Sequence, residues 1–405
     1  MNDIAATRAF RREIGAAHDF PAPAAEKGAL AINARRIVLA DREIAGVIHI
    51  ENGVIVGVEE GAFDAAGLSF GDDILIPGLV ELHTDHLEPH YSPRPGVRWD
   101  PVAAVYSYDA QIACSGITTV FDSLRAGDDA DRNALGAGLF ALGEAIERAK
   151  AGGLLRAEHF THLRCEICAP DVLDEATGYL ARFDVRLMSL MDHTPGLRQF
   201  RDEEKLRAYY RVKAMKSEAE LDAFFESRKA AHAALHDRHR RDIVRLAHAR
   251  GVALASHDDT TLAHVAESTA DGVAIAEFPT TLEAAEASHQ AGLAVLMGAP
   301  NVVRGGSHSG NVSAIELAEN GVLDILSSDY VPISLVYGAF ALREVKAIGG
   351  LPGAIRTVTR NPARASGLTD RGEIAVGQRA DLARIAWTNE QPVIREVYRA
   401  GSRVA

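Results

Sequence analysis

A histidine and a carboxylate close a largely apolar run early in the chain. The segment Leu79–Asp85 ends in His83, Thr84 and Asp85. Residues two apart on a β-strand point to the same face, so His83 and Asp85 are placed to hold one ion between them. Imidazole nitrogens and carboxylate oxygens are ligands that divalent transition metals accept in proteins. The spacing therefore predicts a metal site at the end of this strand.

Further residues of ligand type end other apolar runs of the chain. They are Glu166, His193, His257 and Asp329. A single histidine at a strand end is commonly structural, but the recurrence of such residues favours one converging site for a divalent metal ion, Zn first, with Mn and Fe as alternatives. Asp192, Asp258 and Asp259 adjoin the histidines, and we interpret them as carboxylates that orient the imidazoles.

A second set of residues suits a phosphate-bearing ligand. The loop Arg304–Asn311 combines glycines with hydroxyls, an arginine and a histidine. Glycines let backbone N–H groups approach an anion, and an arginine can give two parallel hydrogen bonds to phosphate oxygens. The loop residues expected to bind the substrate are Arg304, Gly305, Gly306, Ser307 and His308. Arg94 and Arg98 add two arginines on a stiff loop after the first metal-binding strand, and a purely structural loop is the alternative for both segments.

Eight short apolar runs alternate with helical patterns through the middle of the chain. They are Leu79–Asp85, Ile117–Asp122, Phe160–Ile167, Val185–Asp192, Val252–His257, Val273–Phe278, Ala294–Gly298 and Asp324–Asp329. Near-continuous apolar runs are typical of parallel strands buried on both faces. Eight of them predict an α/β fold, a (β/α)8 TIM-like barrel, with an open doubly wound sheet as the alternative. In such a barrel the reactive residues project from the carboxyl ends of the strands.

The two ends of the chain share a different pattern, of short alternating strands. Residues 29–76 and 368–405 are predicted to form one small β-sandwich domain built from both termini, around a barrel over 77–367. Asn52-Gly53 favours a tight hairpin turn, because both residues tolerate positive φ. Residues 1–28 are expected to be a loosely held extension. The charged segment at about 200–250 is expected to be a helical insertion, with a solvated face, a homo-oligomer contact or a substrate lid as its roles.

The composition favours a soluble, acidic, cytoplasmic protein. The 405 residues are 47% hydrophobic and carry 43 Lys and Arg against 56 Asp and Glu, a net charge of −13. This balance disfavours nucleic acid as a partner, since phosphate backbones attract basic surfaces. No run of about 18 apolar residues indicates a membrane span. Cys114, Cys165 and Cys168 are too few for a disulfide framework, and we interpret the CxxC spacing of the last two as core packing around Glu166.

Several uninterrupted segments match the motifs of a known family. They are residues 77–85, 115–120, 162–166, 189–193, 255–259, 276–280, 297–301, 304–311 and 326–330. Together with the terminal Asp329 and the return segment Gly372–Asp381, they resemble the amidohydrolase superfamily and, within it, the PhnM-type hydrolases of bacterial phosphonate metabolism. The resemblance runs from about residue 29 to the C-terminus.

The resemblance implies hydrolysis of α-D-ribose 1-methylphosphonate 5-triphosphate, a small anionic substrate, to the 5-phosphate and pyrophosphate. It also implies a ligand set of His83, Asp85, His193, His257 and Asp329, bridged by Glu166. Asp329 would in addition take the proton from the attacking water. The superfamily's usual His-x-His is His83-Thr84-Asp85 in this chain, which leaves one and two ions open. The alternatives are an amidohydrolase acting on a cyclic amide or N-acyl substrate, and a non-catalytic barrel scaffold in a phosphonate-processing complex.

Overall fold

The computed structural model of the protein describes residues 28–94, 96–127, 138–200, 203–204, 206–207, 211, 217–307 and 310–405. Most of the expected N-terminal extension, part of the charged segment before residue 217 and His308 of the glycine-rich loop therefore lie outside the described residues. The strands are β1 (Ala29–Val38), β2 (Glu43–Glu51), β3 (Val54–Glu60), β4 (Leu68–Ser69), β5 (Ile74–Pro77), β6 (Leu79–Thr84), β7 (Ile117–Ala126), β8 (Glu158–Glu166), β9 (Val185–Met191), β10 (Ala253–His257), β11 (Ile275–Glu277), β12 (Ala294–Gly298), β13 (Ile325–Ser327), β14 (Leu382–Thr388), β15 (Gln391–Arg399) and β16 (Ser402–Arg403).

The α-helices of the described residues follow the barrel strands. They are α1 (Leu87–Tyr91), α2 (Pro101–Cys114), α3 (Leu139–Ala151), α4 (Val172–Leu180), α5 (Glu218–Arg250), α6 (Leu262–Ala270), α7 (Leu282–Gln290), α8 (Ala299–Arg304), α9 (Ala314–Glu319), α10 (Ser334–Leu342), α11 (Gly350–Arg356) and α12 (Arg360–Ala365). Short 3₁₀ turns lie at Arg198–Phe200 and Lys346–Ile348.

The predicted barrel is confirmed. Strands β6 to β13 form one parallel sheet in chain order. Each of these strands overlaps one of the eight predicted runs. The last strand returns to the first: Asp329 N–H donates to the carbonyl of His83 at 3.1 Å, and Asp85 N–H donates to the carbonyl of Asp329 at 3.0 Å. These bonds close the barrel at its carboxyl end, between two of the predicted metal-binding segments.

The barrel strands carry an apolar layer and, above it, a polar one. Leu187, Ala255 and Ile275 are buried together in one apolar cluster. Two residues further along the same strands stand Ser189, His257 and Glu277, which share the face of their apolar neighbours because side chains alternate along a strand. The apolar layer fills the barrel as a packed core, and the polar layer lies towards its carboxyl mouth.

The remaining strands form a second sheet from both ends of the chain. Its order is β16-β15-β14-β5-β1-β2-β3, with β4 paired to β1, so the C-terminal strands join the N-terminal ones through β14 and β5. The hairpin between β2 and β3 turns at Asn52 and Gly53, whose φ angles are 51° and 80°, as their residue types predict. The sheet has its own apolar core, which includes Ile32, Ile48 and Leu382.

Helix α5 occupies most of the charged segment and lies between the fourth and fifth barrel strands. It begins with a capping box, in which Ser217 and Glu220 exchange side-chain and backbone hydrogen bonds, and it ends at Gly251 with a φ of 65°. Its charge pattern predicts a solvated helix, but one face is buried. That face includes Leu221, Phe225, Arg228, His239, Arg240, Ile243 and Ala247.

Candidate metal centre and active site

The predicted ligands stand at the carboxyl ends of the barrel strands. Glu166 is the last residue of β8 and His257 the last of β10, while His193 and Asp329 each lie two residues beyond the end of their strands. Because parallel strands of a closed barrel end at one mouth, residues far apart in sequence meet there. Two groups of side chains with metal-ligand geometry form at this mouth.

The first group consists of His193, His257 and Asp258, with one ligand atom of each within 4.8 Å of the others. His257 donates from Nδ1 to Asp258 Oδ2 at 2.7 Å, and His193 donates from Nδ1 to Glu166 Oε2 at 2.6 Å. These bonds fix both rings, whose centroids are 5.6 Å apart. A carboxylate on the far nitrogen is the usual way in which a metal-binding imidazole is oriented.

The Nε2 atom of His257 shows that this group fits a metal ion. It is buried and has no hydrogen-bond partner, although Nδ1 of the same ring is bonded to Asp258. Burial opposes a positive charge on the ring, but the Asp258 carboxylate outweighs it and raises the pKa of His257 above its ordinary value. The ring is therefore set up to hold a cation at Nε2.

The second group consists of His83, His162 and Glu277 and is fully buried. His83 donates from Nδ1 to Glu277 Oε1 at 2.9 Å, and Ser189 donates to Glu277 Oε2 at 2.8 Å. Burial alone would raise the pKa of Glu277, but His83, which is hydrogen-bonded to it, holds it well below its ordinary value. Burial lowers the pKa of His162 to about 3, so this ring is neutral near pH 7.

His83 connects the two groups. Its ring centroid lies 5.6 Å from that of His257 and 5.1 Å from that of His162. The ring of Phe278 packs against the rings of both His83 and His257, with centroid distances of 4.9 Å and 5.3 Å. The mouth therefore contains a continuous row of imidazoles held against one aromatic wall.

Sequence reasoning missed His162 and Glu277 as site residues. His162 precedes Arg164 and Glu166 at intervals of two along β8, a spacing that places all three on one face. Glu277 is a carboxylate that directly ends an apolar strand. The signal that identified Glu166 and His257, a ligand-type residue at a strand end, was therefore present at Glu277, and the period of two along β8 could have added His162.

Asp85 has a guanidinium partner in the structure. Its carboxylate forms an ion pair with the buried Arg164. Burial would raise the pKa of Asp85, but Arg164 and then His83 lower it well below the ordinary range. Among the described residues, neither of the two groups at the mouth includes Asp85 or Asp329. The metal-ligand roles of these two residues remain predictions.

Backbone strain marks the rim of the mouth. Asp258, Phe278 and Asp329 have φ angles of 58°, 53° and 54° and directly follow, or nearly follow, the ends of their strands. The left-handed region is unfavourable for residues other than glycine, and such strain clusters at functional sites. At Asp329, backbone hydrogen bonds to the segment His83–Asp85 hold this conformation. The Asp329 carboxylate lies beside Gly298, since a Cβ at that position would be 3.6 Å from Oδ2.

The other two carboxylates predicted to orient imidazoles act elsewhere. Asp192 accepts hydrogen bonds from Thr194 N–H at 3.0 Å and from His232 Nδ1 at 2.9 Å, so its imidazole partner lies on α5. Asp259 accepts from Arg198 Nη1 at 2.6 Å. That guanidinium also donates to the carbonyl of His257 at 3.3 Å. Asp259 therefore supports the end of the fifth barrel strand through Arg198, and it does not orient an imidazole ring.

The glycine-rich loop begins where α8 ends. Arg304 is exposed, and its Nη1 donates to the Tyr330 hydroxyl at 3.4 Å, next to Asp329. Gly305 and Gly306 have positive φ angles of 79° and 157°, and Ser307 follows them. After the loop, Val312 N–H donates to the carbonyl of Thr280 at 3.1 Å, beyond the sixth barrel strand, so the loop borders the mouth.

The arginine-bearing loop after α1 is exposed. Arg94 accepts a hydrogen bond at its carbonyl from Val97 N–H at 3.0 Å, and Arg98 lies 6.0 Å from the centroid of the Tyr91 ring. His86, which also follows β6, has both ring nitrogens engaged: Nδ1 with the carbonyl of Tyr330 at 3.1 Å and Nε2 with Gln111 Oε1 at 3.0 Å. These two contacts hold the His86 ring in place.

A closed parallel barrel with imidazoles and carboxylates paired at its carboxyl mouth is an arrangement typical of metal-dependent barrel hydrolases. A family model described as "Amidohydrolase family" matches residues 214–404. An Escherichia coli (strain K12) protein, alpha-D-ribose 1-methylphosphonate 5-triphosphate diphosphatase, is 46% identical over 375 residues, which are 92% of this chain and 99% of that protein. The chain belongs to this diphosphatase family within the amidohydrolases.

Solved structures share the fold at low identity. N-acetyl-D-glucosamine-6-phosphate deacetylase from Mycobacterium smegmatis is 18% identical, with a TM-score of 0.59 over 93% of this chain and 100% of that one. A 5-methylcytosine deaminase from Klebsiella pneumoniae, liganded with phosphonocytosine, is 14% identical, with a TM-score of 0.62 over 93% and 98% of the two chains. Within the part of this chain that the structure describes, no helix combines the length and the apolar character needed to cross a membrane.

Proposed function

We propose that the protein hydrolyses α-D-ribose 1-methylphosphonate 5-triphosphate to the 5-phosphate and pyrophosphate, with a divalent metal ion at the barrel mouth. The similarity to the diphosphatase of Escherichia coli, at 46% identity over nearly the whole of both chains, carries the choice of substrate. The orphaned Nε2 of His257, on a ring oriented by Asp258, supports the metal.

The metal would be held by His193 and His257, with Asp85, Asp329 and His83 as further proposed ligands and Glu166 as the bridging carboxylate. Zn suits this nitrogen- and oxygen-rich set, and Mn or Fe would also fit. When bound, the ion lowers the pKa of a water molecule and polarises a phosphoryl oxygen. We also propose that the protein is cytoplasmic, as the composition and the few cysteines of the sequence indicate.

Asp329 is proposed to accept the proton of the attacking water. A general base needs a fixed position within hydrogen-bond reach of the proton that it removes. The backbone of Asp329 is bonded to His83 and Asp85, and its side chain is half-buried at the mouth, so the carboxylate is both fixed and reachable. His162 cannot compete for this role because it is fully buried and both of its ring nitrogens are engaged, Nδ1 with the carbonyl of Leu82 and Nε2 with the Ser189 hydroxyl.

The charge of the triphosphate is proposed to be neutralised by the loops around the mouth. Positioning and charge neutralisation are the main contributions that proteins make to phosphoryl transfer. Arg304, with the backbone N–H groups of Gly305, Gly306 and Ser307, would bind phosphate oxygens from one side. His308 is proposed as a further contact, and Arg94 and Arg98 would approach from the loop after α1.

The test is pyrophosphate release by the metal-loaded full chain. We expect pyrophosphate release from the ribose triphosphate and no hydrolysis of hydantoins or N-acyl sugars. Asp329→Asn should lower kcat by about 10²- to 10⁴-fold, the usual contribution of a general base. Asp324→Asn is the matched control, because Asp324 immediately precedes β13, whereas Asp329 lies beyond its other end. Amide hydrolysis without pyrophosphate release would overturn the proposal.

A further inference from the structure

Three side chains outside the two groups described above form another cluster with metal-ligand geometry, and a fourth lies beside them. Cys168 and Asp192 are buried, and they meet His232 of helix α5 in a group whose ligand atoms lie within 4.8 Å of one another. His236, one turn further along α5, points to the same carboxylate, with its Nε2 3.8 Å from Asp192 Oδ2. The strand ends and the helix thus contribute a thiol, a carboxylate and two imidazoles.

The distances in this cluster suit a tetrahedral ion. Metal–ligand bonds of about 2.1 Å require neighbouring nitrogen and oxygen ligands about 3.4 Å apart, and a sulfur ligand slightly further. Asp192 Oδ2 lies 2.9 Å from His232 Nδ1, and Cys168 Sγ lies 3.8 Å from the same nitrogen. Shifts of about 0.5 Å would therefore bring these three ligand atoms to the required spacing, and His236 would complete the sphere by turning its Nε2 towards them.

The outer contacts of the cluster also orient its members. His236 donates from Nδ1 to Asp237 Oδ1 at 3.0 Å, which leaves Nε2 as the free acceptor that faces Asp192. The hydroxyl of Thr194 donates to Asp192 Oδ1 at 2.6 Å, which holds the carboxylate. Such carboxylate–histidine and hydroxyl–carboxylate contacts are the ones that commonly support metal ligands.

We propose that Cys168, Asp192, His232 and His236 form a second metal site that binds one zinc-class divalent ion. Cys, Asp and two His are a ligand set that zinc accepts at fourfold coordination. The ion would take no direct part in the proposed reaction at the mouth. His232 is 31% exposed, so the ion can enter from solvent beside α5. Binding releases the thiol proton to solvent, and a neutral His232 would coordinate through Nδ1 with its proton on Nε2.

The location gives the ion a positioning role. Asp192 directly precedes His193, and Arg228, one turn before His232 on α5, lies with Nη2 3.3 Å from Glu166 Oε1. An ion that ties α5 to the end of the fourth barrel strand would therefore fix two elements that contact the Glu166–His193 pair. The second site would act on the mouth through these residues, without touching the substrate.

Cobalt(II) added to the metal-free full chain tests the site. Described mouth ligands offer only nitrogen and oxygen atoms, so a sulfur-to-cobalt charge-transfer band in the near ultraviolet would report Cys168 alone. We expect this band in the wild type and about one more bound cobalt than in Cys168→Ser, which should lack the band. Cys114→Ser, a change at an exposed free thiol, is the matched control and should keep both.

A wild type without the band at saturating cobalt, or a band that persists in Cys168→Ser, would overturn the proposal. If Cys168→Ser does not fold, His236→Gln provides the second test, because it removes one proposed ligand and leaves the thiol that gives the band in place. The variant should need at least about tenfold more cobalt to develop the band, as expected for a lost ligand. An unchanged titration would also contradict the site.

Discussion

Replacing Asp258 with asparagine should weaken metal binding at the mouth. Asp258 Oδ2 accepts from His257 Nδ1 at 2.7 Å, and both side chains are at most 5% exposed, so solvent does not screen the interaction. Asparagine also tolerates the φ of 58°, and the change removes charge while leaving the backbone in place. Loss of such a supporting carboxylate costs about 10- to 100-fold in metal affinity, or about 1.4–2.7 kcal/mol.

The assay is the activation of pyrophosphate release at buffered free metal concentrations. Asp258→Asn should shift the half-activating concentration upward by this factor, with a smaller effect on kcat at saturating metal. The matched control is Asp324→Asn, which alters another His–Asp pair, His289 Nδ1 to Asp324 Oδ2 at 3.1 Å, at the opposite end of the barrel. An unchanged metal requirement in Asp258→Asn would refute the reasoning that this carboxylate orients a metal-binding ring.

Three further predictions concern substrate binding and stability. Arg304→Met should raise KM for the triphosphate about tenfold with little change in thermal stability, since one charge-assisted hydrogen bond is lost at an exposed position; an unchanged KM would exclude this contact. Burial disfavours charge on His159, but Asp122 and Asp109 raise its pKa from 6.5 to about 9. Its folded-state pKa is raised, so its stabilisation is complete below about pH 6.5 and is lost as the pH rises towards 9. Denaturant titrations should show a fall across that window to which His159 contributes up to about 3 kcal/mol. His159→Asn should reduce the fall by that amount, and the part that remains belongs to groups such as Glu81, whose pKa burial raises to about 8. Ser217→Ala should lower the free energy of unfolding by about 1 kcal/mol through loss of the α5 cap, which chemical denaturation would detect, with a neutral result arguing against the capping box.

The barrel could be predicted because its strands are buried on both faces. Ile117–Ala126 is buried along its whole length, and such a run needs no knowledge of its neighbours to be recognised. The strand ends were less exact: the predicted run Val273–Phe278 contains the shorter strand Ile275–Glu277. Phe278 lies outside because it adopts a positive φ, a backbone choice that its residue type disfavours.

The candidate site was only partly predictable because partners come from distant strands. The period of two places Asp85 on the face of His83, but it does not reveal Arg164, which lies 79 residues away and pairs with the carboxylate. Likewise, Asp192 pairs with His232 rather than with His193, and this pairing depends on how α5 packs against the fourth strand. Residue type and spacing identify the layer, and the packing of the barrel decides the pairs.

The charged segment before the fifth strand shows the same limit. Arg228 and Arg240 are buried, although arginine is commonly exposed. Each has an acidic partner on another element: Glu166 at 3.3 Å for Arg228 and Asp271 at 2.7 Å for Arg240. Without those partners in view, the sequence of α5 indicates a solvated helix.

We expect the metal-loaded site to cleave the bond between the α- and β-phosphoryl groups of the ribose triphosphate. Phosphorus NMR of the reaction in ¹⁸O-labelled water tests it most directly, because it identifies both products and the phosphorus atom that received the oxygen. We predict pyrophosphate and the 5-phosphate as the first products, in equal amounts. Each reaction should place one ¹⁸O atom in one of the two products, and chelation of the metal should stop the reaction. Orthophosphate as the first product, or cleavage that is unaffected by chelation, would contradict the account.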